Sequence, residues 1–350
     1  MGNIIYGKLD ASLAPVYGKY EHPIKMLLES ESNAFRANNK LLSLLYNVEK
    51  SSNYSETTMG QTDFDIFDIV KEGQGAPNDS VGMGHRKTIF HHQFMKEFTI
   101  TAEMMEDSKM GIAPEMKRRA TKFVTAYEKT RAKLAAAALY NGTSNSMRFG
   151  GGDVELTVGD GEPLFSSTHT YALDKYAGKT QSNYFYAKAG GDISALESTL
   201  HVAAATMRSF KDENGEAIGY IPNVIVLPGN RPLLEAKIKK ICGTEQATGG
   251  SLNDINTQYG NWTIVVIPEW ETTDDRFILE STEANKQLFG SAFYDRTKLT
   301  VTPWIDNHTG NFIWTGRARM GIGHNTWKHA ALVVDSGTGA TSGATELKLS

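Results

Sequence analysis

The sequence contains little that is typical of a secreted, membrane-spanning or nucleic-acid-binding protein. Cys242 is the single cysteine in 350 residues, so no disulfide can form within the chain, and this usage fits a reducing cytoplasm. No run of about 18 apolar residues occurs, which predicts no membrane-spanning helix. Residues Met1–Asp10 lack the charged and then apolar pattern of a signal peptide. The net charge is −4, whereas dedicated nucleic-acid binders carry a basic excess, although one basic face remains compatible with this charge.

Motifs for metal or cofactor binding are also missing. Neither HExxH nor CxxC is present, and His91 and His92 point to opposite faces of a strand. Gly73-Gln-Gly75 and Gly321-Ile-Gly323 lack the third glycine of a dinucleotide fingerprint. Turns and a tight strand crossing are the better interpretation of these two segments. We therefore expect no metal and no cofactor.

The clearest hint of catalysis is the run Ser166-Ser-Thr-His169, which places hydroxyl groups beside an imidazole. No nucleophile elbow surrounds it, so a polar loop is the favoured interpretation. Cys242 follows an amphipathic segment and is expected to be a small buried apolar residue. No catalytic residue is predicted, and a hydrolase built around Ser167 and His169 is kept as an alternative.

The first hundred residues suggest a projecting hairpin. Residues 1–22 are interrupted by glycine and proline and predict an extended arm, followed by a helix over Asn33–Val48 and a loop over 51–60. Alternation predicts a strand over Asp63–Val70 and a return strand over Thr88–Thr101, separated by a glycine-rich, polar tip. Because so long a tip has little reason to pack on its own core, it is expected to bind a partner.

A long helix is predicted over Pro114–Tyr140, ended by Asn141-Gly142. One face is apolar, and the rest carries seven lysines and arginines against two glutamates. Either this basic surface is an ordinary solvated face, or it is turned towards a packaged polyanion.

The second half of the chain predicts an α/β lobe followed by strands. Helices are expected over Asp192–Phe210 and from 229–232 through Ile241, with buried strands at Val224–Leu227 and Thr263–Ile267. Further strands are expected at Phe277–Glu280, Lys298–Pro303, Asn311–Met320 and Ala330–Val334, before a loose tail.

The order of these elements resembles that of the major capsid proteins of tailed bacteriophages. The resemblance rests on the return strand, Ala-Glu-Met-Met-Glu-Asp-Ser at 102–108, the long helix and Asn-Gly-Thr at 141–143. It extends to Ile-Pro-Asn-Val-Ile-Val-Leu-Pro at 221–228 and Gly-Asn-Trp-Thr-Ile-Val-Val-Ile-Pro at 260–268. The segments 160–169 and 317–324 are similar to the Mu-like head-subunit branch of that family.

The resemblance implies an α+β protein with the Hong Kong 97-type phage capsid fold. In that fold a hairpin called the E-loop projects from a peripheral domain with a long spine helix, beside an α/β axial domain. The implied divisions are an N-terminal arm (1–32), an arm-proximal helix and loop (33–62), the E-loop hairpin (63–101), the peripheral domain with a connecting loop (102–190, spine helix 114–140), the axial domain (191–272), peripheral return strands (273–335) and a C-terminal tail (336–350).

The resemblance also implies which residues meet other molecules. Contacts between subunits are expected at the E-loop tip, at an axial loop and at a possible inner basic face. These are Lys71, Gly73, Gly75, Pro77, Gly84, Arg86 and Lys87 at the tip, Gly243, Gly249 and Gly250 in the axial loop, and Lys117, Arg118, Lys122 and Lys129 on the basic face.

The implied function is that of a major capsid protein, not an enzyme, which self-assembles into pentamers and hexamers of an icosahedral head around double-stranded DNA. Implied partners are further copies of the chain, a portal protein, a scaffolding or maturation protease protein from a separate gene, and DNA bound without sequence specificity. The protein would be assembled in the bacterial cytoplasm and reside in the virion. An encapsulin-like nanocompartment shell and a tail or baseplate component remain alternatives, beside the hydrolase.

Overall fold

Two separate β-sheets organise the structure, which is a computed structural model. It describes residues 4–6, 14–62, 64, 67–78, 81–107, 112–243, 256, 258–337 and 339–348, with the backbone alone at 6, 14–24, 61, 105–107, 112–116 and 174. The helices are α1 Ala14–Asn38, α2 Leu41–Leu45, α3 Ala102–Asp107, α4 Ile112–Tyr140, α5 Ile193–Arg208, α6 Pro232–Gly243 and α7 Thr282–Gln287. The strands are β1 Ile4–Tyr6, β2 Asn47–Lys50, β3 Ser55–Gln61, β4 Met83–Phe90, β5 His92–Ile100, β6 Ser146–Phe149, β7 Gly152–Glu155, β8 His169–Thr170, β9 Thr180–Gln181, β10 Tyr184–Ala187, β11 Val224–Pro228, β12 Thr263–Ile267, β13 Asp275–Glu280, β14 Ser291–Ile305, β15 Phe312–His324, β16 Ala330–Asp335 and β17 Thr345–Glu346.

The first sheet carries the long helix α4. Its strands follow the order β1-β14-β15-β5, with β2 also paired to β14. Helix α4 packs against β15 and β5 through a stripe of small and large apolar side chains, all of which are buried, as predicted: Ala120, Phe123, Tyr127, Leu134 and Ala138. The helix ends at Tyr140, as expected. Gly142, two residues later, has no room for a side chain, because a Cβ there would lie 2.8 Å from the Phe165 ring.

The second sheet has six strands in the order β12-β11-β13-β16-β10-β17. All five residues of β11 are buried, and helices α5 and α6 pack against one another beside this sheet. The predicted helix over 192–210 is confirmed, with the Asp192 side chain capping α5 by accepting from the backbone N–H of Ala195. The predicted lobe of alternating helices and strands is therefore present. Its sheet also contains β13, β16, β10 and β17, which were not expected there.

The strands of the segment 273–335, expected to be peripheral return strands, are divided between the two sheets. Strand β13 pairs antiparallel with β11, and β16 pairs with β13, so both belong to the six-stranded sheet. Only β14 and β15 of this segment join the first sheet. The pairings of β13 connect residues up to 60 positions apart, from Asp275 to Asp335, and local sequence patterns do not encode such long-range partners.

The N-terminal segment and the hairpin also differ from the prediction. Residues 14–22, where an extended arm was expected, are helical and belong to α1, which packs on α4. The helix predicted over 33–48 is divided between the end of α1 and α2, and residues 47 and 48 lie in strand β2. The hairpin consists of β3 and β4, so residues 55–61 form its first strand where a loop was expected. The described residues of 63–70 form no strand. The predicted return strand is two strands, because β4 pairs with β3 whereas β5 pairs with β15.

A buried ionic network ties α4 to its two neighbours. Arg131 is ion-paired with Asp295 of β14 and lies over the Phe293 ring, 4.8 Å from its centroid. Glu128 is bound by Arg36 of α1 at 3.0 Å. Because a buried charge that loses its partner destabilises a fold strongly, this network fixes how α1, α4 and the first sheet are arranged.

A second buried polar cluster lies where the two sheets meet. The hydroxyl of Ser291, the first residue of β14, lies 2.9 Å from His324 Nδ1 at the end of β15 and 2.8 Å from His329 Nε2 just before β16. The Ser291 amide donates to Asn285 Oδ1, and the Asn285 amide group donates to Glu280 Oε1 at the end of β13, 3.0 Å away. This cluster therefore links the ends of four strands, two from each sheet.

Burial shifts the protonation of this cluster in two opposite directions. It lowers the pKa of His324 to about 4 and, with the neighbouring His324, lowers the pKa of His329 to about 3. It raises the pKa of Glu280 well above its ordinary value, against the hydrogen bond from Asn285. The folded chain thus excludes protons from the histidines and retains one on the acid.

We predict that acid destabilises the fold through the two histidines. Below pH 6.5 the unfolded chain protonates them while the folded chain does not, so each lowers the free energy of unfolding by about 1.4 kcal/mol per pH unit, down to their folded pKa values. Glu280 acts in the opposite direction, since its raised pKa stabilises the fold at low pH. In thermal unfolding between pH 6.5 and 4.5, the variant His324→Gln/His329→Gln should show a shallower loss of stability than the wild type.

His308→Gln serves as the control for histidine replacement itself, because His308 is exposed and lies outside this cluster. Glu280 is present in all three proteins, so its contribution cancels in the comparison. Equal slopes in the wild type and the double variant would contradict the role assigned to the histidines.

Candidate subunit interface

The hairpin formed by β3 and β4 is seated closely on its own subunit. A Cβ at Gly321 would lie 2.9 Å from the carbonyl oxygen of Phe90, and one at Gly323 would lie 2.9 Å from the Ile89 side chain. Strand β4 thus crosses β15 so closely that these two positions have no room for a side chain. The tight strand crossing predicted for Gly321-Ile-Gly323 is confirmed.

Polar contacts fix the same end of the hairpin. Lys87 Nζ lies 2.6 Å from Glu155 Oε1 and 2.8 Å from the Thr157 hydroxyl, and His85 Nε2 lies 3.1 Å from the Thr170 carbonyl oxygen. Burial alone would raise the pKa of Glu155, but the hydrogen bonds from Lys87 and Thr157 and the lysine charge lower it overall. We call β3 and β4 the hairpin root.

Three residues predicted at the tip therefore lie in the root. Lys87 is only 5% exposed and is paired within its own subunit, so it is not placed for contact with a neighbour. Gly84 lies where the two strands approach, since a Cβ there would be 2.8 Å from the backbone of Gly60. Arg86 is exposed but also belongs to β4. The resemblance placed Lys87 at the tip, and no local sequence signal shows that Glu155 lies opposite it.

Beyond the root, the chain leaves the body of the subunit. Thr62 and Gly82 close a neck, with the Gly82 amide donating to the Thr62 hydroxyl at 2.7 Å. The described residues past the neck, 64 and 67–78, are called the tip. All of them are exposed, including Lys71, Gly73, Gly75 and Pro77. These four predicted residues therefore lie at the tip.

The tip presents apolar side chains to solvent. Phe67 and Ile69 are fully exposed, and Phe64 and Val70 are largely exposed. Large apolar side chains clustered on a thin projection are typical of a surface that another molecule covers. The alternation of Phe64 with acidic residues predicted a strand. The same mixture of apolar and acidic residues, in a segment without a predicted core to pack on, is the pattern that indicates an exposed surface.

The other predicted contact residues lie apart from the hairpin. Lys117, Arg118, Lys122 and Lys129 are all exposed on α4, and we call them the basic stripe. Two further arginines of the helix are engaged internally, Arg131 with Asp295 and Arg119 with the Thr99 carbonyl oxygen. Gly243 ends α6, whereas Gly249 and Gly250 lie outside the described residues.

The arrangement around Ser167 and His169 does not support catalysis. His169 is buried, with Nδ1 2.8 Å from Asp160 Oδ2 and Nε2 3.1 Å from Asn183 Oδ1, and it stacks on Trp327. Both ring nitrogens are therefore engaged away from Ser167. The run is a structural loop, as the favoured interpretation predicted.

The other candidate catalytic and metal-binding residues do not indicate an active site either. Cys242 is buried, as predicted, and burial raises the pKa of its thiol to about 11, which leaves it unreactive. Among the residues that the structure describes, no group of three or more histidine, cysteine, aspartate or glutamate side chains could hold a metal ion. No helix in the described part of the chain is both long enough and apolar enough to cross a membrane.

Comparison with protein families identifies the chain. The profile of the family described as phage capsid protein matches residues 88–334, which is well over half of the sequence. The chain belongs to the phage capsid protein family. No curated protein sequence matches it.

Solved capsid structures are similar to this capsid protein. The capsid structure of the cyanophage P-SCSP1u matches with a TM-score of 0.50 and 10% identity, over 84% of this chain and 87% of the other. The capsid of a native GTA particle gives 0.49 and 13%, over 84% and 89%, and Mycobacterium phage Patience gives 0.45 and 13%, over 97% and 94%. The cyanophage match shows that the α+β fold is that of a phage capsid protein.

Family membership decides the class of protein. The chain is a structural shell protein of a bacteriophage head, a major capsid protein, and not an enzyme. Its place is therefore the capsid of a virion.

We predict that the hairpin root depends on the missing side chain at Gly321. Gly321→Ala should lower the free energy of unfolding by about 1–3 kcal/mol, because its Cβ meets backbone that cannot move aside. Gly75→Ala is the matched control, since no atom lies within 4 Å of a Cβ there. Urea unfolding followed by circular dichroism measures both, and equal stabilities would contradict the seating described above.

Proposed function

We propose that this capsid protein has the Hong Kong 97-type fold of the Mu-like head-subunit branch. It self-assembles into pentamers and hexamers that form the icosahedral head of a tailed bacteriophage and enclose double-stranded DNA. The hairpin corresponds to the E-loop, α4 to the spine helix, and the lobe around the six-stranded sheet to the axial domain.

The observation that carries this proposal is the contrast between the two ends of the hairpin. The root is fixed by the glycines of β15 and by the ion pair of Lys87, whereas the tip exposes Phe67 and Ile69 completely. A projection that is anchored but uncovered is what a subunit needs to reach over its neighbour. Repetition of modest contacts of this kind by near-symmetry can close a shell although each pair binds weakly.

Other parts of the chain have supporting roles in the proposal. The N-terminal segment, residues 1–32, adds a further contact between subunits, while its α1 portion stays packed on its own α4. The axial loop beginning at Gly243 adapts to five-fold and six-fold neighbours, since glycine permits several backbone conformations. A portal protein and a scaffolding or maturation protease protein from separate genes complete assembly in the bacterial cytoplasm. The DNA is held without sequence specificity.

We predict that polar substitution at the tip abolishes assembly without unfolding the subunit. Phe67→Ser/Ile69→Ser removes side chains that make no contact within the subunit, so the thermal unfolding midpoint should change little while closed shells disappear. Phe67→Tyr/Ile69→Val keeps the apolar surface and should still assemble. The measurement is negative-stain microscopy of each protein, expressed alone and together with its genomic neighbours.

The particles formed by the wild type distinguish the alternatives. Closed shells containing nucleic acid support the phage head, shells containing a protein cargo favour a nanocompartment, and tubes or rings favour a tail or baseplate component. A wild-type protein that stays a monomer or dimer under both conditions would contradict the proposal.

A further inference from the structure

A short excursion of the chain lies beside the neck of the hairpin. Residues 169–181, which we call the strap, begin with β8 and end with β9, and these two strands pair with each other as a separate two-stranded sheet. The strap meets the hairpin at two points. The Thr170 carbonyl oxygen lies 3.1 Å from His85 Nε2, and Leu173 Cδ2 would lie 3.4 Å from a Cβ at Gly82.

The neck is buried, although the chain beyond it is exposed. Thr62 is only 4% exposed, whereas residues 64 and 67–78 are all exposed. The Thr62 hydroxyl oxygen and Leu173 Cδ2 both lie within 3.4 Å of a Cβ built at Gly82, so the leucine side chain lies against the neck. Because a small rotation at the base of a long projection displaces its far end by much more, this contact bears directly on the direction of the tip.

Glu213 holds the strap in this position. Its Oε2 accepts a hydrogen bond from the backbone N–H of Ala172 at 2.6 Å, and its Oε1 lies 2.8 Å from Lys328 Nζ. Both side chains of this ion pair are largely buried, and Lys328 lies just before β16 of the six-stranded sheet. The carboxylate thus connects the residue next to Leu173 with the body of the subunit, through two hydrogen bonds of the strong, charge-assisted kind.

The turn that carries Glu213 is itself well fixed. The side chain of Asp212 accepts from the backbone N–H groups of Asn214 and Glu216, at 2.9 and 2.8 Å. The same turn holds the far end of the strap, because the Tyr176 hydroxyl donates to the Asn214 carbonyl oxygen. One rigid turn therefore supports the strap at two separate residues, 172 and 176.

We infer that Glu213 is a positioning residue for the hairpin: it places the strap against the neck, and the strap sets the direction in which the hairpin leaves the subunit. The effect on shells rests on the proposed function, whereas the effect on the neck belongs to the single subunit. Residues 86–90 of the root are held separately, by the ion pair of Lys87 and by the glycines of β15. Loss of the strap contact should therefore loosen the neck and leave this part of the root in place.

Amide hydrogen exchange in the unassembled, full-length subunit tests the inference at the neck. The Thr62 amide donates to the Gly82 carbonyl oxygen, and the Gly82 amide donates to the Thr62 hydroxyl, so these two amides report on it. Glu213→Ala removes both contacts of the carboxylate, and Leu173→Ala removes the side chain at the neck. Each variant should speed exchange of the two amides by about tenfold or more, while residues 86–90 keep the wild-type rates.

Conservative variants and a matched control separate positioning from general stability. Glu213→Gln keeps an acceptor for the Ala172 amide and Leu173→Met keeps an apolar side chain, so both should stay within about threefold of the wild-type rates. Leu233→Ala is the control, since Leu233 is exposed on α6, and it should leave the neck unchanged. Unchanged neck rates in Glu213→Ala and Leu173→Ala would overturn the inference. Equal acceleration at the neck and at 86–90 would also overturn it, because that result indicates general destabilisation.

The consequence for assembly is measured on the same variants by negative-stain microscopy. Glu213→Ala and Leu173→Ala should give fewer closed shells and more open or irregular particles than the wild type at equal protein concentration. Normal shells from variants with a loosened neck would overturn the role of the strap in assembly. If the wild type forms no shells while the neck rates respond as expected, the proposed function fails but the placement of the neck by the strap stands.

Discussion

The close crossing of β4 over β15 is the constraint on which the function of this subunit depends. Gly321 leaves room for the carbonyl oxygen of Phe90 and Gly323 for the Ile89 side chain, so the hairpin root is held on β15 while the described residues beyond the neck are exposed. The subunit therefore presents apolar surface to solvent at Phe67 and Ile69. In the proposed assembly a neighbouring subunit removes that surface from water, and this burial stabilises the contact between subunits.

The rest of the fold supports this projection. Helix α4 connects α1 to the first sheet through Arg131 and Glu128, and the serine–histidine cluster joins the first sheet to the six-stranded sheet. Both junctions use buried polar groups with directional hydrogen bonds in place of apolar contact alone. Such networks tolerate few alternative arrangements, which favours a defined orientation of the two sheets within each subunit.

Local patterns in the sequence were sufficient for the elements with one clear face. Helices α4 and α5 and strands β11 and β12 follow from periodicity and from their flanking prolines and glycines. The helix α1 was missed because Pro15 and Gly18 suggested breaks, although proline is well accommodated in a first helical turn. At 63–70 the alternation of apolar and acidic residues is equally compatible with a strand and with an exposed projection.

The remaining errors concern contacts between distant segments. The local sequence around β13 and β16 does not indicate that these strands pair with each other, or that β13 also pairs with β11. It is equally compatible with pairing to β14 and β15. Lys87 was expected at the tip, and its partner Glu155, 68 positions away, has no local signature. Among the candidate contact residues, Lys71, Gly73, Gly75 and Pro77 are exposed past the neck and the basic stripe is exposed on α4. The position of Gly84, Arg86 and Lys87 within β4 could be seen only in the structure.

The most direct test of the account compares amide hydrogen exchange in unassembled subunits and in purified shells. We expect residues 67–78 to exchange rapidly in the subunit and at least about tenfold more slowly in the shell, since a neighbour then covers them. Residues 83–90 of the root should be protected in both states. Rapid exchange at 67–78 in intact shells would contradict the claim that the projecting tip is the contact that holds neighbouring subunits together.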